Sequence, residues 1–257
     1  MNAPAYVEEP LDRFTEYTGS AMSFFGACMR SLQNAQGMPR LIKMVGTIHR
    51  KRIPGWDDSE HNRDLLQAEE DAEFAAKECA AGFPLLQQFT LVGFWGAFEA
   101  TVEDLVIGII SNEPVFLLAE PFAKLRIPLA EFEVLTKDDR MRMLLRELQR
   151  TLRSEQRHGV NAFEMILDTV KLSGVVSEEI REAIWEMHHV RNLIVHRGSC
   201  VDRTFAHACP KLGLKVGDGL KVSRSQVTYY VASLIKYVVL IGERIGARYL
   251  IDDETKN

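Results

Sequence analysis

What this sequence lacks narrows its class before any motif is read. It has four cysteines, Cys28, Cys79, Cys200 and Cys209, in 257 residues, without the paired short spacings of a zinc ribbon or the density of a disulfide scaffold. Reduced thiols in a cytoplasmic setting are expected. The opening M-N-A-P-A-Y-V-E-E-P has no basic region followed by an apolar run, so no secretion signal is expected. No apolar run reaches the ~18 to 20 residues that cross a bilayer. The longest, near Val227 to Ile241, is broken by Lys236 and reads as a buried helix, with no membrane partner implied. An excess of one charge is missing too: 31 Lys plus Arg against 36 Asp plus Glu give −5, so any nucleic-acid contact has to be local. Internal repeats and low-complexity segments are absent, and β-branched runs bounded by turns are scarce.

What is present is helical periodicity over most of the chain, with 46% apolar residues to build a core. The expected fold is all-α. Residues 11 to 50 read as two helices separated at Gly37-Met38-Pro39. The basic loop H-R-K-R-I-P-G-W-D-D then leads to a helix from about Ser59, its expected cap, to Ala80. Gly82 and Pro84 restart the chain. Leu85 to Ser111 follows as a helix apolar nearly all round, the pattern of a central core or interface helix, interrupted by Glu99, Glu103 and Asp104. Short pieces lie around Val115 to Leu125 between prolines. Helices open at Thr136, running to about Arg157, and at Asn161, running to about Leu172. Ser177, Glu178 and Glu179 begin another, which Gly198 ends. A loop from Ser199 to Ser223 is expected to hold a short hairpin across Gly217-Asp218-Gly219, before a last long helix starts at Ser223 or Ser225. The domain reading is an N-terminal helical extension, 1–80, and a helical domain, 81–257.

The chemistry concentrates in W-E-M-H-H-V-R-N-L-I-V-H-R-G, where Arg191, Asn192, His196 and Arg197 fall within two turns of a helix end. Burying an Arg and a His there is costly unless each finds a partner or a solvent-lined pocket. The bland alternative is that both favour the negative end of the helix dipole.

R-N-L-I-V-H followed by R-G resembles the signature of the HEPN family (higher eukaryotes and prokaryotes nucleotide-binding), an Arg and a His separated by four to six intervening residues, often with a polar residue directly after the Arg; here the gap is four and the polar residue is Asn192. The likeness covers roughly Phe83 to Ile251, including the acid-bearing core helix with Glu99. It implies an HEPN-like helical bundle and a metal-independent endoribonuclease with no cofactor, of the kind used as bacterial toxins or anti-phage effectors. A regulatory or antitoxin protein partner is also implied. In such chemistry the ribose 2′-OH attacks the adjacent phosphate. His196 suits proton transfer near neutral pH, and Arg191 suits the charge building on phosphoryl oxygens. Asn192 would orient the imidazole or bind phosphate, Arg197 would hold the RNA backbone, and Glu99 is the acid expected to point towards the motif. Five residues along an ideal helix turn ~140°, so Arg191 and His196 do not share a face. The resemblance answers this with a homodimer whose two motifs form one cleft. One branch of the family carries a Tyr two residues after the His. Here that position is Gly198, so regulation by nucleotide addition to that Tyr is not expected. A non-catalytic helical module binding RNA, a nucleotide or a protein through the same cleft stands as the alternative.

Other candidates divide between plain and functional readings. Arg142, Arg146, Arg150, Arg153 and Arg157 form a stripe that is either a solvated face balanced by Glu147 and Glu155 or an RNA-backbone track, with Arg146, Arg150 and Arg153 as its substrate contacts. His49 to Arg52 with Trp56 is either an ordinary loop or a base-stacking patch. His188 and His189 read as packing residues. Cys200, His207 and Cys209 match no common zinc spacing, so no metal is expected.

Overall fold

The computed structural model describes residues 3–153 and 159–254. The protein is all-α, and its described residues hold no β-strand. Ten α-helices follow in order: α1 (Ala5–Ala35), α2 (Met38–Arg52), α3 (Asp58–Ala80), α4 (Pro84–Asn112), α5 (Leu129–Glu133), α6 (Lys137–Arg153), α7 (Val160–Asp168), α8 (Glu178–Arg197), α9 (Arg203–Ala208) and α10 (Arg224–Glu254).

Two compact units emerge, and they do not follow a cut between residues 80 and 81. One comprises Met1–Thr18, Leu91–Leu220 and Ser225–Asn257, and the other Gly19–Thr90 with Lys221–Arg224. The long helices α1 and α4 each supply residues to both units.

The larger unit is organised around α4. Leu91, Phe94, Trp95, Phe98, Val102, Leu105, Val106 and Ile109 are all buried, as the apolar circumference of this helix requires. Phe98 meets Phe14 of α1, Phe163 of α7 and Tyr237 of α10 through ring contacts, so one aromatic residue joins four helices. Gly108 allows a close backbone approach: a Cβ there would meet the Tyr6 carbonyl oxygen at 2.4 Å. Buried polar groups are satisfied around Glu164, which accepts from the Tyr237 hydroxyl at 2.6 Å and the Arg244 guanidinium at 2.9 Å. Burial and the Glu164 carboxylate push the Tyr237 phenol well above its usual range, so it stays a donor.

In the smaller unit α2 packs on α3 at Gly46, where a Cβ would lie 2.1 Å from His61 Nε2. The basic run His49 to Arg52, expected as a loop, is instead the last turn of α2, where positive charge complements the carbonyl end of the helix. Its Arg50 pairs with Asp58, and the His49 ring packs against Trp56 at 4.6 Å. The cap of α3 is Asp57, not Ser59: the Asp57 carboxylate accepts from the Ser59 amide at 2.9 Å.

Three further differences concern 160–224. Helix α7 opens at Val160 and stops at Asp168, short of Leu172, and α10 opens at Arg224, between the two serines expected to start it. The stretch expected as loop contains α9, capped by Asp202, which accepts from the Phe205 amide at 2.8 Å, and anchored by buried Phe205. No hairpin forms across Gly217-Asp218-Gly219. Residues 217–220 pair instead with 199–201, through Val201 N–H to Asp218 O, Gly217 N–H to Val201 O and Leu220 N–H to Ser199 O, with a single bridge between Cys200 and Gly219. The backbone groups that a hairpin needs are already used by the segment following α8.

Candidate functional site

Helix α8 positions the R-N-x-x-x-H segment, and local signals fix both of its ends. The Ser177 hydroxyl accepts from the Ile180 amide, with Glu178 and Glu179 in the positive first turn. Gly198, at φ 56°, closes the helix in the left-handed conformation, its amide donating to Leu193 O. Between these ends Ile180, Ala183, Ile184, Met187, Val190 and Leu193 are buried at helical spacing. That face anchors α8, and the polar residues at its margin are held where the core leaves room.

Within the larger unit that room is a cavity of about 420 Å³. Its polar wall comes from Glu99 and Glu103 on α4, Gln149 on α6, and His188, Arg191 and Asn192 on α8, with Trp95 among its aromatic lining. Arg191 donates through Nη2 to Glu99 Oε2 at 2.8 Å and through Nη1 to Asn192 Oδ1 at 2.8 Å. Its guanidinium lies 5.9 Å from the Trp95 ring centroid. Asn192 Nδ2 is 3.0 Å from His188 Nε2. Because Oδ1 accepts from Arg191, the amide NH₂ must face the imidazole, and that contact is a hydrogen bond only with Nε2 unprotonated. Four side chains thus form a chain from Glu99 through Arg191 and Asn192 to His188. Trp95 also packs edge-on against His188, at 5.3 Å between ring centroids.

His196 stands apart from this group. It is exposed in the last turn of α8, is not on the cavity wall, and makes no hydrogen bond among the described residues. Arg197 is exposed beside it, its Nε 3.4 Å from Asp202 Oδ2. The ~140° separation expected from helix geometry therefore holds in the folded chain. Of the residues singled out in the sequence, Arg191, Asn192 and Glu99 are brought together, while His196 and Arg197 are not. His188 was read as a packing residue yet is part of the cluster. Its position four residues before Asn192, one turn away on the same face, is the signal that could have found it.

Two of the three stripe arginines whose side chains are described are paired. Arg142 binds Asp138 at 2.9 Å and Asp104 at 3.4 Å, and Arg150 binds Glu147 at 2.9 Å. Arg146 is exposed, makes no ion pair among the described residues and is not on the cavity wall. Arg153 ends α6 with its side chain outside the described set, and Glu155 and Arg157 lie outside the described residues.

On another side of α8 a second cavity, of about 490 Å³, is lined by Arg181, Glu182, Trp185, Glu186, Cys209 and Lys211, among others. Lys211 pairs there with Glu182 at 2.7 Å, and the Trp185 indole donates to Ala208 O. Burial, helped by the Glu186 carboxylate, pushes the Cys209 thiol up to about 12, the opposite of what a thiolate ligand needs. Among the described residues no group of three or more His, Cys, Asp or Glu is placed to hold a metal ion, and no helix is long and apolar enough to cross a membrane.

Compared with family models, with curated proteins and with solved structures, the chain matches none. Its fold and site define an all-α protein with a polar, part-buried Glu-Arg-Asn-His cluster at a cavity near a helix end.

Proposed function

We propose that this protein is an HEPN-like endoribonuclease, acting without a metal as a homodimer. The observation that carries the reading is Arg191, held by Glu99 and Asn192 on the wall of an open cavity, with His196 exposed at the end of the same helix. A cation fixed in advance stabilises charge that develops on a phosphoryl group without reorganising during the reaction. An imidazole within reach of substrate can act as general base and then as general acid.

The step is an internal transesterification. The ribose 2′-oxygen forms a bond to phosphorus while its proton passes to a His196 imidazole; the bond from phosphorus to the 5′-oxygen breaks, and that oxygen receives a proton from an imidazolium. The products are a 2′,3′-cyclic phosphate and a 5′-hydroxyl, so neither water nor metal is consumed. Two imidazoles, one in each protonation state, suit this exchange, and a second copy related by a twofold axis supplies the second. Arg197 and Arg146, both exposed, supply backbone contacts. A toxin or anti-phage role is part of the same reading, supported by the likeness of R-N-L-I-V-H-R-G to that family.

The test is cleavage of labelled single-stranded RNA by the full chain with chelator present. Arg191→Ala and His196→Ala should each reduce cleavage at least about 100-fold. Unchanged cleavage in both would remove the catalytic assignment. A second reading, a non-catalytic module that binds through the cavity, is favoured by one specific fact: His196 does not line the cavity that Arg191 lines. It predicts RNA binding that depends on Arg191 and not on His196, with no product formed.

A further inference from the structure

The smaller unit carries a surface that the nuclease reading leaves unused. Helices α2 and α3 run antiparallel and meet at Gly46 and His61. Along one edge of that contact Lys43 pairs with Glu69 at 2.6 Å and Arg50 with Asp58 at 3.0 Å. The other edge holds no such pairs. There α2 presents Met38, Leu41, Met44, Val45 and Ile48, each 41 to 54% exposed, as one stripe at helical spacing. Arg40, Lys51 and Arg52 border the stripe, exposed and without an ion pair among the described residues, and α2 contains no acid. On the same edge α3 presents Glu60, Asp64 and Asp71, one row with Gln67 at steps of four, three and four, ending at half-exposed Phe74. None of these three acids has an ion pair among the described residues either. Arg63 and Glu70 occupy the next row out and cancel in charge.

A basic, apolar lane and an acidic lane therefore lie side by side, each with three unspent charges, and that pattern selects the occupant. An anionic bilayer or RNA would meet the acidic row beside the basic residues, and the stripe has no aromatic ring on which a base could stack. An acidic helix from another protein would meet the same carboxylates. A surface of two opposite lanes complements itself, so a second copy satisfies both lanes at once. The antiparallel packing sets Arg40 level with Asp71, and Lys51 and Arg52 level with Glu60. A twofold axis along the helices keeps these levels and lays α2 of one copy on α3 of the other. An axis across the helices would instead lay α2 on α2 and oppose Arg40 to Lys51 and Arg52.

We propose that this edge of the α2–α3 hairpin docks on a second copy of the chain, each α2 lane lying on the α3 lane of its partner about a twofold axis parallel to the helices. A face about 22 Å long and two helices wide buries roughly 1,000 Å² in total, the low end of specific interfaces, so the association is reversible. It is separate from the α8 pairing invoked for catalysis, because α2 and α3 belong to the smaller unit and α8 to the larger.

The test is sedimentation velocity of the full chain from about 1 to 100 μM, with thermal melts confirming the fold of each variant. The parent should self-associate. Arg40→Glu with Arg52→Glu, and separately Glu60→Lys with Asp71→Lys, should each weaken one association step at least ten-fold, since like charges then face each other in both lanes. Mixing these two variants should restore that step, because each reversed lane then meets a reversed partner lane and each native lane a native one. Leu41→Asp with Ile48→Asp should abolish the step without rescue by either variant. A parent that stays monomeric, charge reversals that leave association unchanged, or a mixture that fails to restore it would overturn the proposal. So would a monomeric parent that binds phosphatidylserine vesicles and loses that binding in Leu41→Asp. RNA cleavage by a chain whose assembly ignores the charge reversals would keep the nuclease and remove this interface. Rescue by mixing in a chain that cleaves no RNA would do the reverse.

Discussion

The two ends of the R-N-L-I-V-H segment are built differently, although five residues separate them. Arg191 and Asn192 are half-buried and tied into a hydrogen-bonded chain that reaches α4 through Glu99 and returns to α8 at His188. His196 and Arg197 are exposed, and of the two only Arg197 has an ion-pair partner among the described residues, at 3.4 Å. The first end is prepared before any ligand arrives: its rotamers are fixed by partners, which is the condition for electrostatic stabilisation at little reorganisation cost. The second end is free to meet something from outside the chain. A helix turning 100° per residue makes this division unavoidable for an Arg and a His at this spacing, and it explains why a second copy belongs in the proposed mechanism.

The largest effects are expected where the two ends must cooperate. If they form one composite site, Arg191→Ala and His196→Ala fall together in RNA cleavage, each by about 100-fold or more, while only Arg191→Ala weakens binding of a monophosphate. A His196→Ala protein that cleaves normally would break the comparison in favour of a binding module.

Stability should separate the ends next. Removing Arg191 strands Glu99 part-buried beside Trp95 and deprives Asn192 of its donor. The pair is partly exposed, so the expected loss is about 1 to 2 kcal/mol and not the larger figure typical of a fully buried pair. His196 has no hydrogen-bond partner among the described residues, so His196→Ala should stay within about 0.5 kcal/mol of the parent. Chemical denaturation of both variants checks this, and equal losses would mean that His196 has packing the folded chain does not reveal. Glu99→Gln sharpens the point further: it keeps a hydrogen-bond acceptor for Arg191 and removes the charge, so it should cost less than Arg191→Ala.

Much of the anchored end was legible in the sequence, because its determinants are local or depend on residue type alone. The Ser177 cap with Glu178 and Glu179, the Gly198 stop and the all-round apolarity of α4 are each written within one element. Glu99 could be named as the acid facing the motif because α4 carries few charges. His188 was legible only as a neighbour of Asn192 one turn on; its role depends on Asn192 turning its amide once Arg191 has occupied the carbonyl side, and that follows from the tertiary contact with Glu99. Helix α9 was hidden for a different reason. Its anchor is a single buried phenylalanine, Phe205, in a stretch whose glycines and Pro210 read as loop. The expected hairpin failed because the Gly217 to Leu220 backbone is used by Ser199 and Val201, a pairing set by where α8 ends and not by the turn residues themselves.

That docking gives the finest test of the division. Gly198 takes the left-handed conformation at φ 56°, and a Cβ there would meet nothing within 4 Å, so Gly198→Ala carries a conformational cost without a steric one, about 1 kcal/mol. Asn at this position tolerates the same backbone and should recover most of the loss. The cost falls on the last turn, where Gly198 and Ser199 both donate to Leu193 O and the following segment docks on 217–220. His196 lies within that turn, whereas Arg191 is held by Glu99 from outside it. Gly198→Ala should therefore reduce RNA cleavage by roughly three- to ten-fold, the equivalent of about 1 kcal/mol of misplacement, and leave mononucleotide binding at the Arg191 cavity within about two-fold. If both readouts fell together, the two ends of the motif would be one mechanical unit and the distinction between an anchored and an open half would be lost.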